Sequence, residues 1–223
     1  YAAAMGADVI NASWGGGAYS FALEQAIAEA GLAGVLFVAA AGNNRLNIDL
    51  VPFYPASYDL ENVISVAALA PDGQLARFSN YGAATIDFGA PGVGILSTRR
   101  DGTVTDPSES LSGTSMAAPH VAGVAALVFD NQPDATALEV RAAILSSAHP
   151  SDALAGKVAS GGALDALSAL RAPTFGPQVT LELADNITQP DVASQVLTVR
   201  FQDNEGVDLA TLDDADLVIT RAG

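Results

Sequence analysis

Cysteine is absent from this sequence of 223 residues, which also contains only two histidines. The lack of cysteine excludes disulfides, thiolate catalysis and zinc–thiolate sites, but it says little about the cellular compartment. Basic residues are scarce: nine lysines and arginines stand against 25 aspartates and glutamates, which gives a formal net charge of −16. A surface of this sign repels phosphate backbones and anionic lipids, so neither nucleic-acid binding nor membrane-surface binding is expected. No apolar run is long enough to span a bilayer.

Short apolar runs alternate with helical patterns as far as Leu170, and half of all residues are hydrophobic. The runs predict buried strands at 7–13, 35–40, 63–68 and 85–88, and the periodicity predicts helices at 19–30, 115–129, 136–146 and 163–170. Strands that are apolar on both faces and alternate with helices indicate a parallel sheet with helices on both faces, a three-layer α/β fold. Ligands bind such sheets beyond the carboxyl ends of the strands, so the loops at 14–17 and 42–44 should lie close together.

The composition changes after Pro173 and Pro177. Alternating runs at 179–183 and 196–201 are typical of strands, and an acidic stretch follows at 213–216. The pattern predicts one domain over residues 1–172, a linker at 173–177, and at 178–223 the truncated start of an antiparallel β-sandwich domain. A solvated tail is the alternative interpretation of this last segment.

Ser115 stands where a glycine-containing turn becomes a helix. Free N–H groups and the positive end of the helix dipole at that point would stabilise a serine alkoxide or a tetrahedral oxyanion. Pro119 cannot donate the N–H that would close on the Ser115 carbonyl. Local chemistry leaves two interpretations, a helix N-cap and a nucleophile. The helix itself, apolar or small nearly all round, is predicted to be buried.

The segment at 112–123, Ser-Gly-Thr-Ser-Met-Ala-Ala-Pro-His-Val-Ala-Gly, resembles the nucleophile motif of the subtilisin-like serine peptidases, the subtilases. The resemblance implies that Ser115 attacks a peptide carbonyl and forms an acyl-enzyme. Other serine chemistries fit poorly: Ala117 breaks the Gly-x-Ser-x-Gly pattern of α/β-hydrolases, and no lysine follows three residues after Ser115. Ser112 stands where the family often has asparagine, so contacts to the leaving group are not assigned.

A serine nucleophile needs a base, and the base needs an orienting acid. His120 lies about 140° around the helix from Ser115 and about 7.5 Å along it, which is out of reach, so we expect a buried structural histidine. His149 is expected on the surface, and Asp8 at a solvated strand end. In subtilases the acid and the base precede the segment that resembles residues 7–13. The resemblance therefore implies the C-terminal part of a catalytic domain, with the triad Asp and His upstream; a pseudoenzyme is the alternative.

Further positions resemble the family. Ala40-Ala41-Gly42-Asn43 is similar to its oxyanion segment, which implies that Asn43 and the Ser115 N–H stabilise the intermediate; a turn-forming asparagine is the alternative. Ser13, Trp14 and Gly15 resemble the strand that pairs with the substrate main chain, where a glycine-rich turn is the alternative. Phe53 falls where subtilases often place the floor of the S1 pocket, which implies a preference for small P1 residues. A core phenylalanine is the alternative there.

A cation site is implied in the same way. Asp87 matches an aspartate that in some subtilases joins backbone carbonyls near a Tyr-Pro-Ala segment, so Asp87, Ala56 and Tyr58 are candidate ligands of structural Ca²⁺ or Na⁺. An exposed aspartate is the alternative, and no organic cofactor is expected. The whole pattern predicts a secreted or cell-surface, monomeric serine endopeptidase that acts on protein or peptide substrates. The rival is a non-catalytic surface or adhesion protein built on a pseudo-peptidase scaffold.

Overall fold

The computed structural model describes residues 1–16, 18–98, 103–104, 109–172, 178–182 and 198–202, the last two segments as backbone. The chain divides into two compact units, Tyr1–Thr174 and Phe175–Gly223. No helix in the described part of the chain is long and apolar enough to cross a membrane.

The first unit is built on a six-stranded sheet. Its strands are β1 (Val9–Ala12), β2 (Leu36–Ala40), β3 (Val63–Leu69), β4 (Phe88–Pro91), β5 (His149–Pro150) and β6 (Gly162–Ala163). Their order across the sheet is β1-β2-β3-β4-β6-β5. All neighbouring pairs are parallel except β5 and β6, which are antiparallel.

The strand predicted at 85–88 is wrong in position, since β4 begins only at Phe88. The residues before it are engaged elsewhere: the Thr85 N–H donates to the Asp49 carboxylate at 2.9 Å, and the Ile86 N–H closes a turn on the Gly82 carbonyl at 3.1 Å. These backbone groups are therefore not available for a sheet ladder.

Both faces of the sheet are buried. Along β2, Leu36, Val38 and Ala40 belong to one hydrophobic cluster. Phe37 and Ala39 belong to a second cluster on the opposite face. Because successive side chains of a strand point to opposite faces, a strand covered on both sides reads as an unbroken apolar run. The predicted three-layer fold is confirmed.

Helices cover these faces. They are α1 (Phe21–Leu32), α2 (Thr114–Asn131), α3 (Ala137–Ser146) and α4 (Ala166–Arg171). Residues of α2, α3 and α4 pack into the first cluster, and Ile27 of α1 packs into the second. Thr136 caps α3 through a capping box with Glu139, a reciprocal pair that satisfies two otherwise free N–H groups.

Helix α2 is buried on one side only, so the prediction of a fully buried helix is wrong. Ala117, Ala118 and Val121 are fully buried, whereas His120 is exposed and Leu127 is 53% exposed. The expectation of a buried His120 is therefore also wrong. Its ring Nδ1 lies 2.8 Å from the Met116 carbonyl, one turn back on the face directed away from the sheet. His149 is exposed, as expected, although it lies in β5.

The second unit contains β7 (Gln178–Glu182) and β8 (Thr198–Gln202), which pair antiparallel with Gln178 opposite Gln202. The two runs predicted as strands thus form an antiparallel pair. The β-sandwich and the domain limits at 172 and 178 stay predictions, and the acidic stretch at 213–216 lies outside the described residues.

Asp87 ties α3 to the sheet. Its Oδ2 accepts from the Ser65 N–H at 2.7 Å, and its Oδ1 accepts from the Arg141 guanidinium of α3 at 3.1 Å. The Arg141 Nε also donates to the Val63 carbonyl at 3.1 Å. Burial raises the pKa of Asp87 above its ordinary value, and the Ser65 N–H and the Arg141 charge oppose that rise.

This balance predicts that Arg141→Ala raises the pKa of Asp87 further, because burial then acts with less opposition. A carboxyl whose pKa is raised by folding binds more protons in the folded state, so its contribution to stability is present at low pH. That contribution is lost as the pH rises through the folded-state pKa. In Arg141→Ala the loss should extend to higher pH.

Carbon NMR titration of the Asp87 carboxyl, with urea unfolding at several pH values, measures both effects. Arg171→Ala, which removes an arginine of α4, is the control, and an unchanged Asp87 pKa in Arg141→Ala would contradict the account.

Candidate active site

Ser115 lies in the first turn of α2 and is joined reciprocally to Ser13 at the end of β1. The Ser115 Oγ donates to the Ser13 carbonyl at 2.9 Å, and the Ser13 Oγ donates to the Ser115 carbonyl at 2.7 Å. Since Pro119 has no N–H to offer that carbonyl, the Ser13 hydroxyl replaces the missing helix hydrogen bond. The Asn11 side chain donates to the Ser13 Oγ at 2.9 Å and orients it.

The N-cap interpretation of Ser115 does not hold. The N-cap residue is Gly113, and the cap makes no side-chain hydrogen bond. The Ser115 hydroxyl therefore does not serve the helix end. Within the described part of the chain, the Ser13 carbonyl is its only hydrogen-bond partner, and no imidazole or carboxylate contacts it.

The first four N–H groups of α2 differ in their hydrogen bonding. The Thr114 N–H donates to the Asn43 side chain at 2.9 Å, and those of Met116 and Ala117 turn back to the Gly113 carbonyl at 3.0 and 3.3 Å. The N–H of Ser115 has no acceptor among the described residues. One donor at the positive end of the helix dipole is thus left free beside the Ser115 hydroxyl.

Thr114 fixes the Asn43 side chain. Its N–H and its hydroxyl lie 2.9 and 3.1 Å from the Asn43 Oδ1, and its Oγ1 accepts from the Gly42 N–H at 3.0 Å. A backbone N–H can only donate, so it identifies the amide oxygen and leaves the Asn43 Nδ2 as the free donor. No described residue accepts from that nitrogen. The turn-forming interpretation is not supported, because the bond reaches across 71 residues.

A cavity of about 330 Å³ joins these groups at the carboxyl ends of β1 and β2. Predicted site residues from separate parts of the sequence meet there, and Ser13 adjoins them through Ser115. The cavity is lined by Trp14, Gly15, Ala40, Gly42, Asn43, Asn44, Phe53, Thr114 and Ser115. The two loops expected to be neighbours therefore are neighbours.

The Phe53 ring lies between two glycines of this cavity. A Cβ on Gly42 would come 2.8 Å from the Phe53 Cζ, and one on Gly15 would overlap the ring edge. The ring can occupy this position only because both residues lack a side chain. The Gly16 N–H donates to the Tyr54 carbonyl at 2.8 Å, which joins the two loops beside the ring.

Three tyrosines support the segment that carries Phe53. The Tyr54 and Tyr58 ring centroids are 4.6 Å apart, and Tyr19 meets each of them edge-on at 5.5 and 5.9 Å. The Tyr19 hydroxyl donates to the Glu24 carboxylate, which raises the pKa of Tyr19 to about 12. The Tyr58 hydroxyl donates to the Ser20 carbonyl at 2.9 Å, which anchors the cluster to the start of α1.

The candidate cation ligands are already engaged. The Ala56 carbonyl accepts from the Ser65 hydroxyl at 2.5 Å, and the Asp87 carboxylate is shared between Ser65 and Arg141. Tyr58 and Asp87 line a cavity of about 320 Å³ together with Arg141. A cation would sit beside a guanidinium, and the described residues form no group of three or more carboxylate or imidazole ligands. Within the protein, Asp87 and the Ala56 carbonyl already have hydrogen-bond partners, and the cation site stays a prediction from the resemblance.

Sequence reasoning missed Thr114 and Asn80. Both are polar and fully buried. Their hydrogen bonds reach partners between 34 and 72 residues away. No local pattern signals such bonds, although a polar residue next to the predicted nucleophile was a possible cue for Thr114.

Comparison with known proteins places this geometry in a family. Residues 1–196 match the family model described as the subtilase family. Subtilisin DY from Bacillus licheniformis is 44% identical over 149 residues, which are 66% of this chain and 52% of that protein. The "Extracellular protease" of Xanthomonas campestris pv. campestris is 47% identical over 133 residues, 58% of this chain and 22% of that protein.

A solved structure agrees with these matches. The prenylagaramide maturation protease PagA superposes with a TM-score of 0.65 at 32% identity, over 76% of this chain and 63% of that one. The chain spans no more than about half the length of the two curated relatives. Since the family match covers well over half of the chain, the chain belongs to the subtilase family of serine peptidases.

Proposed function

We propose that this chain is the C-terminal part of a serine endopeptidase catalytic domain in which Ser115 is the nucleophile. The observation that carries the proposal is the convergence of three groups on one cavity. These are the Ser115 hydroxyl, the free Ser115 N–H and the free amide nitrogen of Asn43. Hydrogen-bond donors beside a nucleophile stabilise the oxyanion of a tetrahedral intermediate, and the Ser115 N–H and the Asn43 nitrogen are two such donors.

The reaction divides between this chain and an upstream segment. In this structure the Ser115 hydroxyl donates its hydrogen bond to the Ser13 carbonyl. In the reaction, a histidine from the upstream segment accepts the proton of that hydroxyl. The Ser115 Oγ then attacks the scissile carbonyl carbon, and the negative oxygen accepts from Asn43 and from the Ser115 N–H. The histidine returns the proton to the leaving amine, and water hydrolyses the acyl-enzyme by the same steps in reverse. An upstream aspartate orients the histidine.

The substrate main chain pairs with residues 13–15, which continue beyond β1 beside the cavity. Gly15 permits the close approach of another backbone, and Phe53 fills the base of the space in which a P1 side chain would lie. Protein or peptide substrates, a monomeric state, and a secreted or cell-surface location complete the proposal. The location is supported by the family and by the net charge of −16.

The function is tested by comparing this chain with the longer reading frame that includes the upstream segment. Residues 1–223 alone should not hydrolyse casein, because none of the described residues offers a base in contact with Ser115. The longer chain should hydrolyse it, and Ser115→Ala should abolish the activity while Ser146→Ala, on the exposed side of α3, leaves it unchanged. Turnover by residues 1–223 that depends on Ser115 would contradict the division of roles. An inactive longer chain would favour the non-catalytic surface or adhesion role.

In the longer chain, Asn43→Ala should lower kcat by about 10²–10³ with little change in KM, since the amide donates only to charge that develops in the transition state. Steady-state kinetics on a peptide anilide measure both constants. The control is Asn47→Ala, because the Asn47 side chain accepts from the Asp49 N–H in its own loop. An unchanged kcat in Asn43→Ala would remove Asn43 from the oxyanion site.

The position of Phe53 predicts a preference for small P1 residues such as alanine over phenylalanine or leucine. A ring that occupies the pocket should disfavour bulky groups by about 10–200-fold in kcat/KM. Phe53→Gly should reverse the order, and Phe53→Leu should shift it part of the way. Paired peptides that differ only at P1 provide the assay. A P1 ratio that is the same in all three proteins would show that Phe53 does not line the pocket.

A further inference from the structure

Asn80 is a fully buried amide in the loop between β3 and β4. Its Nδ2 donates to the Ala41 carbonyl at 2.7 Å. Its Oδ1 accepts from the N–H groups of Asn44 and Leu46 at 3.0 and 2.9 Å. Its own N–H donates to the Gly42 carbonyl at 2.9 Å. One residue therefore makes four hydrogen bonds to a single loop.

These bonds bracket Asn43. They hold the two residues before it and, at one and three positions beyond it, Asn44 and Leu46. None of them uses Asn43 itself, whose amide oxygen is held by Thr114. The backbone direction at Asn43 is thus set from one side by Asn80 and the side chain from the other side by the start of α2.

The loop needs this support because its backbone is not regular. Gly42 has φ +98°, and Arg45 has φ 57°, a left-handed conformation that is unfavourable for a non-glycine residue. Gly42 also has no room for a side chain, since a Cβ would lie 2.5 Å from the Asn80 Nδ2. Asn80 stabilises this backbone together with two backbone bonds, from the Arg45 N–H to the Phe78 carbonyl at 2.8 Å and from the Tyr81 N–H to the Leu46 carbonyl at 2.9 Å.

We propose that Asn80 is a positioning residue for catalysis: it holds the loop at 41–46 so that the Asn43 Nδ2 is aimed at the developing oxyanion. This inference rests on the proposed function of Asn43. A displacement of a catalytic group by about 1 Å can lower the rate by about 10²-fold. A residue that fixes the loop carrying the donor therefore affects kcat without contacting the substrate. Asn80 touches neither the substrate nor the reacting atoms, and its effect passes through Asn43.

The chain supplies a matched control. Asn62 is another buried asparagine, 5% exposed, whose Nδ2 donates to the carbonyls of Ile27 and Val35 at 3.0 and 3.1 Å. It stabilises the connection of α1 to β2 and has no bond to the loop around Asn43. Asn62→Ala removes a comparable number of buried hydrogen bonds without disturbing that loop.

The kinetic test is a double-mutant cycle in the longer, active chain. Asn80→Ala should lower kcat by about 10–10²-fold per folded molecule with KM changed by less than about twofold. In the Asn43→Ala background the same substitution should lower kcat by less than about twofold, because the donor it positions is gone. Asn62→Ala should lower the unfolding temperature without changing kcat. Equal effects of Asn80→Ala in both backgrounds would overturn the positioning role.

The physical test uses residues 1–223 and does not depend on activity. Asn80→Ala should speed amide hydrogen exchange at Asn44 and Leu46 by about tenfold, as expected when a local hydrogen bond is lost. Asn80→Asp keeps the acceptor oxygen and, when protonated at low pH, also a donor for the Ala41 carbonyl, so it should preserve protection at both amides there, and it serves if the alanine variant does not fold. Unchanged exchange in Asn80→Ala overturns the inference alone. A longer chain without Ser115-dependent activity overturns the proposed function, and the positioning role with it.

Discussion

The geometry of the site depends on a backbone hydrogen-bond donor that is missing at Pro119. Pro119 has no N–H, so the carbonyl of Ser115 cannot complete its helix hydrogen bond. The Ser13 hydroxyl fills that place, and the Ser115 hydroxyl returns a bond to the Ser13 carbonyl. A defect in the first turn of a helix thereby becomes a double link between residues 102 positions apart. This link, rather than the helix alone, places the Ser115 hydroxyl at the carboxyl edge of the sheet.

The parallel sheet brings the remaining groups to the same place. Strands β1 and β2 are adjacent and run in one direction, so the loops that follow them open at one edge. Glycines at 15 and 42 let the Phe53 ring close the space between those loops. The cavity thus results from the adjacency of β1 and β2 and from the lack of side chains at Gly15 and Gly42. Its polar groups come from the helix start and from the loop that Asn80 holds.

The sequence predicted the main elements because they carry strong local signals. Strands β2 and β3 are buried throughout, and such strands read as unbroken apolar runs. The start of β4 could not be predicted, since the Asp49 carboxylate captures backbone groups 36 residues away. The exposure of His120 was missed for another reason. A helix composed mainly of alanine and other small or apolar residues looks equally apolar on all sides, so its sequence does not tell which side meets the sheet.

The hydrogen bonds between Thr114 and Asn43 also have a consequence for the chemical ageing of the protein. Deamidation would turn Asn43 into an aspartate of nearly the same shape, and its remaining oxygen would still accept from the Thr114 N–H. The loop would keep its conformation, and unfolding measurements would show little change. The lost group would be the free amide nitrogen, replaced by a negative charge in the cavity that Asn43 shares with Ser115. On the proposed function, such a protein would lose activity while remaining folded.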